Sequence, residues 1–228
     1  MTAPSEAVRI AAVVFDMDGV LVDSEAVWDD VRQRFTEENG GRWHEGAQRE
    51  MMGMSSVEWS RYVRDRLGVD MDPERISTAV ADRVADVYRE RLPLLPGAVE
   101  AVRSLSTEWP LAVASSSNRR VIDLVVELAG LKEEFRATVS SEEVGSGKPE
   151  PDVYLEAARQ LEIDSGACAA IEDSTNGIRA ARAAGMTVIA VPNRDYPPEA
   201  DALGQADRVL DSLVDLTPGL VRSLQPGH

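Results

Sequence analysis

The chain contains a single cysteine and lacks any long hydrophobic run. One cysteine, Cys168, excludes an internal disulfide framework and is typical of a protein kept in a reducing cytoplasm. No apolar run approaches the roughly 18 residues that a membrane-spanning helix needs. Residues 1–9 lack a basic region followed by an apolar stretch, so we expect no secretory signal. These absences predict a cytoplasmic protein with no membrane partner.

Positive charge is scarce as well, since 24 Lys and Arg residues face 40 Asp and Glu residues, for a net charge of −16. Such an acidic protein repels nucleic acid and anionic lipid, so neither is expected as a main partner. An anionic small molecule would need a local positive centre. Lys148 is the candidate, because only two of the basic residues are lysines and a compact ammonium suits that task. The alternative is a solvated lysine in a loop.

Apolar runs alternate with amphipathic stretches after residue 95. Strands are predicted at residues 10–15, 111–115, 137–140, 167–171, 187–191 and 208–210, and helices at residues 97–106, 119–129, 151–161 and 175–184. This alternation predicts an α/β fold, a doubly wound parallel sheet with helices on both faces. Residues 24–92 are rich in helix formers without a convincing strand. We therefore predict a core of residues 1–23 and 93–228 and a small all-helical cap of residues 24–92.

Two carboxylates, Asp16 and Asp18, follow the first predicted strand and precede Gly19. Residues two apart on a strand face the same side, so both acids can point into one small space. Like charges at that distance resist joint ionisation unless a cation or a proton separates them. A solvated turn is the alternative, because Asp and Gly are common turn residues.

Further polar side chains follow other predicted strands, at the edge where ligands bind in such sheets. Ser115, Ser116 and Asn118 offer hydroxyls and helix N-terminal amides that could cradle an anion. Glu172 and Asp173 offer the hard oxygen ligands that Mg²⁺ prefers. Each group could instead serve only to cap a helix. Together with Lys148, Asp16 and Asp18, they supply every type of group that phosphoryl transfer needs.

This ordered set resembles the motifs of the haloacid dehalogenase superfamily of phosphotransferases, over the whole chain. The four motifs are Asp16-Met17-Asp18-Gly19-Val20, Ser115, Gly147-Lys148-Pro149 and Glu172-Asp173. The longer phrases Lys148-Pro149-Glu150-Pro151-Asp152 and Glu172-Asp173-Ser174-Thr175-Asn176-Gly177-Ile178 resemble the branch of β-phosphoglucomutases and sugar-phosphate phosphatases. That branch carries a small helical cap after the first motif, which agrees with residues 24–92.

The resemblance implies a role for each motif residue. Asp16 is the nucleophile that forms an aspartyl-phosphate, and Asp18 is the acid that protonates the leaving oxygen and then the base that activates water. Lys148 and Ser115 neutralise the transferring group. The expected Mg²⁺ ligands are the Asp16 carboxylate, the Asp18 backbone carbonyl, Glu172 and Asp173.

Substrate contacts are expected from both parts of the chain. In the core they are Ser116 and Asn118, and in the cap they are Gly53, Ser55, Ser56 and Trp28. Trp28 and Trp59 could equally belong to the core of the cap.

The resulting hypothesis is a Mg²⁺-dependent phosphomonoester hydrolase that acts on a small phosphorylated metabolite, with sugar phosphates first. A β-phosphoglucomutase-type phosphotransferase is the alternative, but those mutases keep a histidine and an arginine where ungapped counting puts Trp28 and Ser56. Arg61 lies near enough that a shifted alignment could restore the arginine. A non-catalytic Mg²⁺-dependent binding protein is the third hypothesis, and the intact motifs argue against it. We expect a monomer or a weak dimer.

Overall fold

The computed structural model describes residues 9–194 and 196–224. The expectation of no secretory signal concerns residues 1–9, of which Arg9 alone lies within the described part. Six strands in these residues form one parallel sheet with the order β3-β2-β1-β4-β5-β6. They are β1 Ala12–Phe15, β2 Leu111–Ser115, β3 Phe135–Ser140, β4 Cys168–Glu172, β5 Thr187–Ala190 and β6 Arg208–Val209. The predicted doubly wound parallel sheet is thus confirmed.

Helices lie before, between and after the strands of the described chain. They are α1 Glu25–Glu38, α2 Ala47–Met51, α3 Ser56–Asp65, α4 Pro73–Glu90, α5 Ala98–Ser106, α6 Arg119–Leu128, α7 Asp152–Leu161, α8 Thr175–Ala183, α9 Ala200–Leu203 and α10 Pro218–Ser223. Short 3₁₀ helices occupy Ser141–Glu143, Ser165–Ala167 and Leu213–Asp215. None of the described helices is long and apolar enough to span a bilayer.

Strand β1 is buried on both faces, and its residues alternate between two apolar clusters. Val13 and Phe15 pack on the side of α5 and α6, whereas Ala12 and Val14 pack on the side of α7 and α8. The strand order reverses here, because β2 and β3 lie on one side of β1 and β4, β5 and β6 lie on the other. In open α/β sheets the crevice for ligands lies at the carboxyl ends of the strands at such a reversal. The end of β1 at Phe15 is therefore the expected place for a site.

Helices α1 to α4 form the inserted helical block, here called the cap. Local signals define its helices: Ser55 and Glu58 make a capping box at the start of α3, and the Asp72 side chain caps α4. The cap packs over the carboxyl ends of the strands, where the Ser116 hydroxyl donates to the Gly53 carbonyl at 3.4 Å. That residues 24–92 form an independent unit with these boundaries stays a prediction.

Candidate active site

The site begins at the end of β1, where Asp16 meets a buried lysine. Lys148 Nζ lies 2.9 Å from Asp16 Oδ1 and 2.6 Å from Glu172 Oε1. Asp16 leaves β1 while Glu172 ends the neighbouring strand β4, so the parallel register brings the two carboxylates to one edge. The loop before α7 supplies the lysine between them. All three side chains are almost fully buried.

Burial shapes the protonation of this cluster. It raises the pKa of Asp16 to about 8, against the attraction of Lys148 and with further help from the charges of Glu172 and Asp18. Burial alone would lower the pKa of Lys148, but the carboxylates of Asp16 and Glu172 outweigh it and hold that pKa above its usual value. Lys148 is therefore a permanent positive charge at the bottom of an acidic site.

Glu172 is held rigidly by donors on both oxygens. Oε1 accepts from Lys148 and from the Tyr154 hydroxyl at 2.6 Å, and Oε2 accepts from the Asp173 amide and from the Ser174 amide and hydroxyl. A Cβ at Gly177, in the first turn of α8, would lie 1.8 Å from Oε1. Glycine at this position therefore lets Glu172 pack against the start of the helix.

Asp173 completes an acidic cluster with Asp16 and Glu172. One carboxylate oxygen from each lies within 4.8 Å of the others. Asp173 is 3 % exposed, and among the residues described no hydrogen-bond donor contacts its carboxylate. Burial and the charges of Glu172 and Asp16 raise its pKa well above the usual value.

These residues fit a hard divalent cation. Three buried carboxylates share one ammonium, so a second positive charge would relieve the remaining repulsion. A Cβ at Gly19 would lie 2.0 Å from Asp173 Oδ2, so the bare backbone of this left-handed glycine, φ +77°, is what admits the carboxylate. The Asp18 carboxylate is not part of the cluster, and the metal contact expected from Asp18 was through its backbone carbonyl.

Asp18 instead faces the cap and the end of β2. Oδ1 accepts from Trp28 Nε1 at 3.2 Å, and Oδ2 accepts from the hydroxyls of Ser115 at 3.2 Å and Ser117 at 2.8 Å. Three donors therefore fix the Asp18 carboxylate outside the acidic cluster. The two acids of the first motif share one cavity but have different partners.

The cavity between core and cap has a volume of about 480 Å³. Asp16, Asp18, Lys148 and Asp173 line its core side. From the cap come Gly53 and Arg49, an exposed residue of α2 with no ion-pair partner among the described residues. An anion in this cavity would therefore lie between Lys148 on the core side and Arg49 on the cap side. These two residues supply the local positive charge that an acidic chain needs in order to bind an anion.

The structure brings some of the expected substrate contacts to this region and not others. Ser116 and Gly53 line the large cavity, and Trp28 lines a smaller one behind it. Ser115 is fully buried behind Asp18, so its hydroxyl does not face the cavity. Ser55 caps α3.

Ser56 and Asn118 meet in a different place, at a contact between cap and core. Both donate to Glu142 Oε1 at 2.7 Å, and the Arg119 amide donates to Glu142 Oε2 at 3.0 Å. Neither residue lines the cavity at Asp16. Arg61, the candidate for the missing mutase arginine, lies with Ser56 in a separate surface cavity.

Sequence reasoning missed Ser117, Tyr154 and Arg49. Ser117 lies between Ser116 and Asn118, and period-2 alternation would pair it with Ser115 on one side of the chain. Tyr154 lies two residues into α7 and had no polar neighbour to mark it. In the sequence, Arg49 looks like the other charged residues of a solvent-exposed helix face, and no local pattern distinguishes it from them.

Comparison with known proteins agrees with this geometry. A family model described as a haloacid dehalogenase-like hydrolase matches residues 10–185. Hexitol phosphatase B of Escherichia coli K12 is 35% identical over 232 residues, which covers 92% of this chain and 95% of that protein. The crystal structure of CbbY from Rhodobacter sphaeroides in complex with phosphate has a TM-score of 0.83 at 26% identity and covers 94% of this chain and 100% of that one.

A bifunctional riboflavin kinase/FMN phosphatase of Arabidopsis thaliana is 32% identical over 208 residues. The match covers 90% of this chain but 54% of the plant protein, so the chain spans about half the length of that relative. The similarity therefore concerns one part of a larger enzyme.

Proposed function

The chain belongs to the haloacid dehalogenase-like hydrolases, and on that premise we propose that it is a Mg²⁺-dependent phosphatase of small phosphorylated metabolites. One observation carries the proposal: Asp16 and Asp18 line one cavity, the first beside Lys148 and the second held by Trp28 of the cap and by Ser117. Such an arrangement separates a nucleophile from a proton donor. A phosphate ester between them has its phosphorus at one and its leaving oxygen at the other.

In the first step the Asp16 carboxylate attacks phosphorus and the ester P–O bond breaks. Asp18 gives its proton to the departing oxygen, which leaves as an alcohol. The product on the enzyme is an aspartyl-phosphate at Asp16. Lys148, whose charge is permanent, neutralises the negative oxygens that develop next to it.

In the second step water attacks the aspartyl-phosphate, and Asp18 takes a proton from that water. The bond between phosphorus and the Asp16 oxygen breaks, and inorganic phosphate leaves. Asp16, Glu172 and Asp173 would hold Mg²⁺, which when bound supplies positive charge for the phosphoryl oxygens. Tyr154 and Ser174 keep Glu172 in place throughout.

The substrate class rests on the relatives and on the cavity. The hexitol phosphatase of Escherichia coli and the fructose-1-phosphate phosphatase YqaB of the same organism, 30% identical over 189 residues, are named for phosphorylated polyols and sugars. A volume of about 480 Å³ suits a ligand of that size. We therefore propose a sugar or polyol phosphate as the first class to test.

A cytoplasmic location and a monomeric or weakly dimeric state belong to the same proposal. The single cysteine supports the first, because Cys168 is buried in β4 and cannot pair within the chain. Gel filtration at several protein concentrations would test the second.

The mutase alternative has one structural feature in its favour. Arg49 faces the cavity from the cap, where it could hold a second phosphate while the aspartyl-phosphate waits. Against it, Trp28 donates to Asp18 at the position where the mutases keep histidine. The phosphatase is the better supported function because water needs no second phosphate site.

Product analysis separates the two functions. The enzyme is incubated with β-glucose 1-phosphate, Mg²⁺ and a trace of the bisphosphate, and ³¹P NMR follows the products. We expect inorganic phosphate with no isomer that carries phosphate at a new position. Glucose 6-phosphate that appears faster than inorganic phosphate would establish the mutase, and loss of both products in Asp16→Asn ties either activity to this site.

A further inference from the structure

The most unusual charge outside the catalytic cluster is Arg32, on α1 of the cap. Its side chain is buried, with 7% exposure for the residue, and its guanidinium lies 4.7 Å and 4.8 Å from the ring centroids of Trp28 and Trp59. Among the described residues no carboxylate lies within 4.0 Å of it, and its Nε has no hydrogen-bond partner. Burying an arginine without an ion pair is unfavourable, so this arrangement needs a reason.

Arg32 lines a small cavity of about 50 Å³ that also borders Asp18. A short relay of polar side chains leads from it toward the catalytic cavity. Arg32 Nη1 donates to Gln48 Oε1 at 3.2 Å, and Gln48 Nε2 donates to Glu25 Oε2 at 2.8 Å. Glu25 lines both the small cavity and the large one. The small cavity is thus an extension of the active site into the cap.

The chemistry of the walls selects the kind of group that fits there. A hydroxyl can accept from the Arg32 guanidinium and donate to the Glu25 carboxylate, so both polar groups would be satisfied. A carboxylate or a second phosphate would gain Arg32 but would meet the negative charges of Glu25 and Asp18. The rings of Trp28 and Trp59 offer apolar faces for C–H groups. The volume admits one hydroxymethyl-sized group.

We propose that Arg32 and Glu25, which Gln48 holds together, form a subsite that binds the uncharged, hydroxyl-bearing end of a phosphate ester while its phosphate lies at Asp16. The proposal rests on the phosphatase function and narrows its substrate class: polyol phosphates are preferred over esters of the same length that end in a carboxylate. Discrimination against the carboxylate arises from Glu25. Recognition of the hydroxyl arises from Arg32.

The first test compares two substrates in the wild-type enzyme with Mg²⁺. Sorbitol 6-phosphate ends in a hydroxymethyl group, and 6-phosphogluconate has the same length but ends in a carboxylate. We expect kcat/KM for the first to exceed that for the second by about tenfold or more, because one unfavourable buried contact is worth at least that much. Equal values, or a preference for the carboxylate, would overturn the subsite. This comparison needs no variant to fold.

The second test uses Arg32→Gln, with Arg34→Gln as the matched control. Arg34 lies on the same helix but is exposed and paired with Asp30. Arg32→Gln should raise KM for sorbitol 6-phosphate about tenfold, and it should affect p-nitrophenyl phosphate, which has no hydroxyl end, much less. Arg34→Gln should change neither. An equal loss on both substrates in Arg32→Gln, with unchanged melting temperature, would contradict the proposal.

The third test removes the negative charge at residue 25 with Glu25→Gln. The preference for sorbitol 6-phosphate over 6-phosphogluconate should narrow, because the amide no longer repels the carboxylate. An unchanged ratio would remove Glu25 from the subsite. If the wild-type enzyme released phosphate from neither ester nor from p-nitrophenyl phosphate, the phosphatase function itself would fail, whereas turnover without discrimination would reject the subsite alone.

Discussion

Trp28 Nε1 donates a hydrogen bond to Asp18 Oδ1 at 3.2 Å, so a side chain of the cap orients an acid of the core. The indole ring also packs edge-on against Trp59, with centroids 6.1 Å apart. Trp28 is also buried, so it belongs to the hydrophobic core of the cap. In the mechanism proposed above, this hydrogen bond links the position of the cap to proton transfer by Asp18.

Trp28→Phe keeps the ring and removes the donor. We expect a loss of turnover that is larger for an alkyl phosphate than for p-nitrophenyl phosphate, because a good leaving group needs little help from Asp18 to depart. Asp18→Asn sets the upper limit of the effect, on the order of 10²–10⁴-fold. Trp43→Phe, on the cap away from Asp18, is the control. Identical losses for the two esters would mean that Trp28 acts through packing alone.

Asp16→Asn should abolish turnover and leave the fold intact. The amide has nearly the same shape but is a poor nucleophile, and Lys148 still has Glu172 as a partner at 2.6 Å. Phosphate release should fall below a few per cent of wild type, with a circular dichroism spectrum that is unchanged. Residual activity well above that level in purified variant would assign the nucleophile elsewhere.

Stability without metal should fall as the pH rises. Burial raises the pKa of Asp16 to about 8, whereas an aspartate in an unfolded chain titrates near about 3.9. Between those values the folded protein holds a proton that the unfolded chain has released, so the free energy of unfolding decreases with pH. Urea unfolding in EDTA at pH 5.5, 6.5 and 7.5 measures this.

The same series in Asp16→Asn isolates the contribution of this carboxyl from the general repulsion of an acidic chain. The variant should show a flatter dependence on pH. A slope equal to that of wild type would indicate that Asp16 does not hold the proton.

Mg²⁺ should stabilise the protein by relieving repulsion among the acids at the end of β1 and β4. At 100 times its dissociation constant, a cation that binds the folded state alone adds about 2.7 kcal/mol to the free energy of unfolding. Asp173→Asn should remove most of the rise in melting temperature, since this carboxylate has no other partner among the described residues. Asp65→Asn, at an exposed ion pair with Arg64, should keep it. Equal shifts in both variants would place the cation elsewhere.

The sequence was sufficient for the architecture because strand–helix alternation is a local pattern. The five charged residues of the motifs could be placed together because parallel strands bring their carboxyl ends to one edge. Glu142 and Arg32 could not be found this way. Glu142 follows β3 and reaches Ser56, 86 residues away along the chain. No local pattern marks Arg32, since its burial depends on how two tryptophans of the cap pack around it.

The contact at Glu142 also fixes one side of the cap on the core. The hydrogen bond from Ser56 to Glu142 ties α3 to the core beside β3, and the Asn118 amide, which also donates to Glu142, donates to Ser77 of α4. At α2, Arg49 stands exposed at the cavity. On a chain with a net charge of −16, we expect this guanidinium to attract an incoming phosphate to the cavity.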